Sequence, residues 1–335
     1  MTQEVLEKLY ETASGAGRLL ILPHNDPDPD AIASAVALGY LLAERLGMES
    51  RIAYQGIIGR AENKVLVRYL DHPLEPLIDA DLQQFPCLAL IDAQPGAGNI
   101  TLSPGARVVM VIDHHAWRKE TASASFADVR PGLGATSTIL TQYLQAAGVE
   151  PPLSLATALF YGIKIITMGL GRDTSPADAA AYSYLQPRID VEALAKIEHA
   201  QIPADYFRSF DATLRAARMY DGLIVAYIAV LSYPDLAAEM ADVLLRLEKA
   251  QHVICMGVYQ GALILSVRTR SQEHTAEKPV QAIVAGEGSA GGHGAIAGGQ
   301  IPLEGRAAEQ EVLLLRQRAL QHLGLPPESA GEPLI

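Results

Sequence analysis

Arg18-Leu-Leu-Ile-Leu-Pro-His24-Asn-Asp26-Pro-Asp28-Pro-Asp30 joins a short apolar run to a loop of carboxylates and one imidazole. The arrangement returns twice. Cys87-Leu-Ala-Leu-Ile91 runs into Asp92, and Arg107-Val-Val-Met-Val-Ile112 runs into Asp113-His114-His115. Short apolar runs bounded by turn residues read as buried parallel strands. Ligands of open α/β sheets bind outside the carboxyl ends of such strands. The three runs therefore predict one sheet with acidic and imidazole side chains gathered along one edge.

Outward from these strands the first half alternates strand and helix. Residues 31–46 form a small-residue helix ending at Gly47, 51–54 a strand, 135–147 a helix closed by Gly148, and 153–164 a buried helix. This rhythm predicts an α/β fold, a mostly parallel sheet with helices on both faces, over residues 1–187. Residues 188–220 are rich in Ala and charge and read as a helical linker. A smaller α/β domain follows over 221–325. It has a strand at 223–230, a helix at 236–249, a hairpin pairing 252–259 with 262–268 across Gln260-Gly261, a glycine-rich segment and a helix at 306–323. Residues 326–335, with Pro326, Pro327 and Pro333, read as a loose tail.

The chain of 335 residues is 49% apolar, enough for two domains with proper cores. Its net charge is −12, with no block of Lys or Arg. Proteins that grip long nucleic acid carry a basic stripe, because phosphate contacts supply most of that affinity. The balance here points instead to small or short anionic substrates, with metal ions supplying the positive charge. Cys87 and Cys255 lie in separate apolar runs and read as buried free thiols. No signal sequence opens the chain, and the most apolar stretch, 153–170, carries Lys164, so it reads as a buried helix. A cytoplasmic location with no membrane partner is expected.

Pro27 and Pro29 stiffen the loop that carries His24, Asp26, Asp28 and Asp30. Carboxylates suit hard divalent cations, and an added imidazole favours Mn²⁺ over Mg²⁺. The bland alternative is that Asp30 caps the following helix and the rest are solvated turn residues. Two adjacent histidines after a buried strand resist such a reading, since both rings are brought near one place. Asp92 is a plausible bridge between clusters on separate strands, and a two-metal centre of that kind can activate water and clamp a phosphoester. Later in the chain, Gly291, Gly292, Gly294, Gly298 and Gly299 permit an amide-lined anion cradle, and Arg268 offers a planar fork for phosphate. The alternative there is a surface loop and a solvated arginine.

In this order the motifs resemble those of the DHH phosphoesterase superfamily, which includes RecJ-type exonucleases, nanoRNA and pAp phosphatases, cyclic-dinucleotide phosphodiesterases and exopolyphosphatase-type enzymes. The resemblance runs from about residue 15 to 305, and residues 291–299 resemble the glycine-rich motif of the attached smaller domain. It implies a hydrolase that acts on short single-stranded oligonucleotides or small nucleotides, with a cleft between two domains and frequent homodimerisation. It implies further that His24 and Asp28 hold one Mn²⁺, that Asp30 and His114 hold a second, and that Asp92 bridges them. Asp113 would orient His114, and His115 would face the scissile phosphate. Arg268, Gly291, Gly292, His293, Gly298 and Gly299 would bind the rest of the substrate.

One departure stands out. Where family members carry a further Asp, in a segment like Gly-Ile-Lys-Thr-Asp-Thr, this chain reads Gly162-Ile-Lys-Ile-Ile166-Thr. Isoleucine cannot ligate a metal, so the second ion loses a protein oxygen unless Asp173 reaches in, and it should bind weakly. Asp178 reads as part of the next helix. A nucleotide-binding protein that has lost turnover is the alternative to a working enzyme.

Overall fold

The computed structural model describes residues 3–270 and 275–335, which divide into two compact units, Met1–Ala200 and Gln201–Ile335. In the first unit six strands form one sheet: β1 (Leu19–Pro23), β2 (Ser50–Tyr54), β3 (Glu75–Pro76), β4 (Cys87–Ile91), β5 (Arg107–Asp113) and β6 (Phe126–Val129). Their order is β3-β2-β1-β4-β5-β6, and every pairing is parallel. The order reverses direction between β1 and β4, which opens a crevice beyond their carboxyl ends. His24 to Asp30 follow β1 and Asp92 follows β4, so both clusters sit at that switch point.

Strand residues alternate between two cores. Leu19 and Ile21 face a large helical layer, whereas Leu20 and Leu22 face a smaller core with Leu88, Leu90 and Val111. The helical layer includes α1 (Gln3–Ala16), α2 (Pro29–Leu46), α3 (Ala61–Tyr69), α5 (Thr136–Ala147), α6 (Leu153–Ile166), α7 (Pro176–Leu185) and α8 (Val191–Glu198), whereas the short α4 (Asp79–Gln84) packs on the opposite face through Leu82. α2 and α5 end on left-handed glycines, Gly47 at φ 58° and Gly148 at φ 61°. α6 packs along α2. A Cβ on Gly162 of α6 would lie 2.6 Å from Ser137 Oγ and 3.1 Å from the Asp30 Cα, so only glycine permits this approach.

The second unit holds α9 (Ala204–Ala216), β7 (Arg218–Tyr220), β8 (Leu223–Val230), α10 (Leu236–Leu244), β9 (His252–Tyr259), β10 (Ala262–Thr269), α11 (Glu277–Val284), β11 (Ser289–His293), β12 (Ile296–Pro302), α12 (Ala308–His322) and β13 (Glu332–Pro333). Its mixed sheet runs β11-β12-β10-β9-β8-β7-β13, with β8 and β9 parallel and the other pairs antiparallel. The expected hairpin forms across Gln260-Gly261.

Three sequence expectations differ from what forms. The stretch 188–220 is not one linker, because α8 belongs to the first unit and α9 and β7 to the second. The tail is not loose throughout: Glu332 and Pro333 pair with Met219 and Arg218. The glycine-rich segment is a β-hairpin, with Gly291 opposite Gly298 and Gly292 opposite Ala297. A Cβ on Gly292 would lie 2.4 Å from Ile296 O, so close strand packing demands this glycine. Cys87 and Cys255 are free and buried, as expected. No helix among the described residues is long and apolar enough to cross a membrane.

Candidate metal centre

Asp92 lies at the middle of the crevice, 2% exposed, in a left-handed backbone conformation at φ 55°. Non-glycine residues held there carry strain that concentrates at functional sites. Its two carboxylate oxygens look in different directions. Oδ2 is 3.7 Å from His24 Nε2, while Oδ1 is 3.5 Å from both His114 Nε2 and His115 Nδ1. His24 Nε2 is also 3.8 Å from Asp28 Oδ1. The donor atoms of His24, Asp28 and Asp92 thus form one tight group, and those of Asp92, His114 and His115 a second, each within 4.8 Å.

Backbone carbonyls set the rings. His24 Nδ1 donates to Asn25 O at 2.8 Å and His114 Nδ1 to Leu133 O at 3.1 Å, which leaves each Nε2 facing the carboxylates. Separations of 3.5–3.8 Å are long for hydrogen bonds. They are close to the spacing of neighbouring donors around a shared cation, roughly 3–3.5 Å for bonds of about 2.1 Å. The electrostatics agree. Burial disfavours charge on His24, yet Asp28 and Asp92 carry its pKa up to about 10. Burial likewise opposes ionisation of Asp92, but His115, His114 and His24 hold its carboxyl well below the usual range. Asp30 is pushed well above that range by burial and by the nearby Asp92 and Asp28. The ring of His24, which holds its proton, and the carboxyl of Asp30, which resists losing one, both mark surplus negative charge. The donor set fits a divalent cation.

Asp28 and Asp30 have local duties too. Asp28, not Asp30, caps α2, accepting from Ala31 N–H at 3.0 Å. Asp30 caps α5 from across the fold: its oxygens accept Thr136 N–H at 2.8 Å and Ser137 N–H at 2.7 Å. Those are orphan amides of a helix start that has no side-chain cap of its own. Asp30 therefore stands apart from the tight groups, and His115 joins Asp92 and His114 instead. Asp26, at φ 54°, spends its carboxylate on Ile57 N–H and shapes the loop.

The structure reassigns Asp113. Its Oδ1 accepts from His115 Nδ1 at 2.8 Å and from the amides of His114 and His115, so it orients His115; Leu133 O orients His114. Two supporting residues escaped the sequence reading. Gln94, fully buried, donates from Nε2 to Asp113 Oδ2 at 2.7 Å, and Thr136 Oγ1 donates to Asp92 Oδ1 at 2.8 Å. Gln94 lies two residues past Asp92, which is the only hint the sequence held.

Asp173 does not complete the set. Its side chain is 45% exposed and pairs with Arg172 Nε at 4.0 Å. Ile166 closes α6, half-buried, with its carbonyl accepting from Arg172. Asp178 is the capping-box residue of α7 and also accepts from Gly134 N–H and Thr138 Oγ1. Arg268 is buried in β10, with Nε on Asp242 Oδ1 at 2.5 Å and Nη1 on Ser266 Oγ at 2.8 Å, rather than solvated. The side chain of His293 lies outside the described residues.

Residues 18–163 match the DHH family, N-terminal domain. An uncharacterized protein of Methanocaldococcus jannaschii is 38% identical over 299 residues, which cover 89% of this chain and 60% of that protein. A probable manganese-dependent inorganic pyrophosphatase of Streptococcus agalactiae is 27% identical over 161 residues, 48% of this chain and 51% of that one. The chain thus spans 60% and 51% of the length of these relatives as matched. An exopolyphosphatase-related protein from Bacteroides fragilis superposes with a TM-score of 0.71 at 15% identity, covering 96% of this chain and 97% of that chain. That likeness shows the fold.

Proposed function

We propose that this chain, whose residues 18–163 form a DHH family N-terminal domain, is a Mn²⁺-dependent phosphoesterase of short oligonucleotides or small nucleotides. The observation that carries the proposal is Asp92, with one oxygen toward His24 and Asp28 and the other toward His114. In this reading His24, Asp28 and Asp92 would hold one ion. Asp92 and His114 would hold the second, and Asp30, which keeps its bonds to the Thr136 and Ser137 amides, would have to reach it with a remaining lone pair. The manganese-dependent relative supports the choice of metal. When bound, such ions supply an activated water and neutralise charge on the phosphoryl oxygens.

The chain's own groups do the positioning. Asp113 accepts a hydrogen bond from His115 Nδ1 and fixes the ring, which would then face the scissile phosphate. Thr136 holds the Asp92 carboxylate against rotation. Arg268 and the residue 291–299 hairpin would bind a non-reacting phosphate, which requires Arg268 to use guanidinium edges left by Asp242 and Ser266. The acidic balance of the chain favours short substrates.

The test is hydrolysis of a panel of short nucleotides with Mn²⁺, alongside metal stoichiometry. Two bound ions and a turnover lost in Asp92→Ala are expected, since Asp92 belongs to both donor groups and would contact both ions. Full activity in excess chelator, or in Asp92→Ala, rules the mechanism out. The second reading, a nucleotide-binding protein without turnover, rests on Ile166 and on the outward placement of Asp173. One ion or none, with nucleotide binding intact, would favour it.

A further inference from the structure

The loop after His115 carries the chain's single tryptophan, and the ring is held out rather than packed in. Trp117 is 51% exposed, yet the backbone on both sides of it is pinned. Gln94 Nε2 donates to Ala116 O at 3.0 Å, and Gln94 Oε1 accepts from Arg118 N–H at 2.9 Å. The same amide donates to Asp113 Oδ2 and accepts from Thr121 Oγ1 at 2.9 Å. A buried amide with all four of its hydrogen bonds made is a rigid bracket. One side chain therefore fixes both the carboxylate behind His115 and the backbone that carries the indole.

Single exposed apolar residues are common and ordinarily mean nothing. Three observations set this one apart. Two virtual bonds of about 3.8 Å keep the Trp117 Cα within about 7.6 Å of the His115 Cα. The backbone that carries the ring is already held, so less ordering entropy is lost when something lands on it. Arg118 follows at once, then Lys119, whose side chain is 89% exposed and lies 3.8 Å from Glu120 Oε1. A flat π face followed by cations, two residues beyond the metal-facing histidines, suits a base joined to a phosphate.

We infer that Trp117 is the stacking platform for the nucleobase attached to the scissile phosphate, held in register with His115 by Gln94. The inference rests on the phosphoesterase reading and deepens it: substrates with a base are selected over chains of phosphate alone.

The Mn²⁺-loaded full chain is compared with Trp117→Ala and Trp117→Phe on a 5′-phosphorylated adenosine dinucleotide and on inorganic tripolyphosphate. Trp117→Ala should raise the dinucleotide KM roughly ten-fold with kcat changed less, in keeping with base-on-aromatic stacking. Trp117→Phe should stay near wild type, and the tripolyphosphate KM (or its inhibition constant, if it is not cleaved) should not move. Because the chain has one tryptophan, AMP should also quench its fluorescence, while inorganic phosphate should not. An unchanged dinucleotide KM in Trp117→Ala, or an equal loss on both substrates, overturns the platform. Should the wild type cleave nothing, the phosphoesterase reading fails. The AMP titration then decides the platform alone: quenching supports it and no quenching ends it.

Discussion

Asp92 shows how much one residue can be asked to do. It follows a strand, takes a left-handed backbone and turns its two oxygens toward separate histidines. Its neighbour His24 makes a pH test available. In the metal-free protein burial works against a charged ring, but Asp28 and Asp92 prevail and raise its pKa from 6.5 to about 10. At neutral pH a cation must displace that proton, so Mn²⁺ affinity should rise as pH climbs toward 10, and binding near pH 7 should release protons. Calorimetry in buffers of different ionisation enthalpy counts them; a count of zero removes His24 from the site. Gln94→Ala leaves a buried carboxylate oxygen, a carbonyl, an amide and a hydroxyl without this partner. It should cost about 3 kcal/mol in denaturant unfolding and lower kcat more than it raises KM. Ile166→Asp should lower the Mn²⁺ concentration that gives half activity if residue 166 stands where a metal-binding Asp belongs. A lower melting temperature with unchanged metal dependence would instead make it a packing position.

At the scale of elements, the site is assembled from helix starts as much as from strand ends. Asp28 caps α2 and Asp30 caps α5, so the carboxylates are oriented by amides that need partners anyway. This ties the metal-facing loop to the way α2, α5 and α6 pack. Gly162 is the contact point, because a methyl group there would press on Ser137 and Asp30. Gly162→Ala should therefore cost about 1–3 kcal/mol of stability by overpacking. It should also reduce activity, since the helix that moves carries Asp30. Wild-type stability in that variant would mean that the helices part without strain and that the coupling is absent. In the second unit the glycines serve a similar end: Gly292 lets β11 lie close to β12.

For the whole molecule, the division at Ala200 separates two sets of cores. Leu6 to Ile197 supply one, and Ala217 to Leu320 the other. Every residue of the two donor groups lies in the first unit. Residues 1–200 expressed alone should melt cooperatively, because a unit of that size buries its own core. Mn²⁺ should raise the melting temperature, by an amount equivalent to about 2.7 kcal/mol when the ion is present at a hundred times its Kd. Asp92→Ala in that fragment should abolish the shift. A fragment that folds but gains nothing from Mn²⁺ would place the metal elsewhere in the chain.

The strand ends, the parallel sheet and the order of the chemical motifs were legible along the chain, because apolar period and turn residues are local properties. Residues 252–268 likewise announced their hairpin through two β-rich runs and a Gln260-Gly261 turn. What the chain alone could not tell is which group answers which. Asp30 meets amides 106 positions away, and Leu133 takes the His114 ring that Asp113 was expected to hold. Arg268 read as a free fork, and the residue 291–299 segment as a loop. Burial turned one into an ion pair with Asp242 and backbone pairing turned the other into a hairpin. Hydrogen bonds are satisfied by whatever the packed chain brings within about 3 Å, and only tertiary structure sets those distances. Periodicity therefore determined where the carboxylates and imidazoles would gather. The three-dimensional packing decided which oxygens were already taken and which were left for a cation.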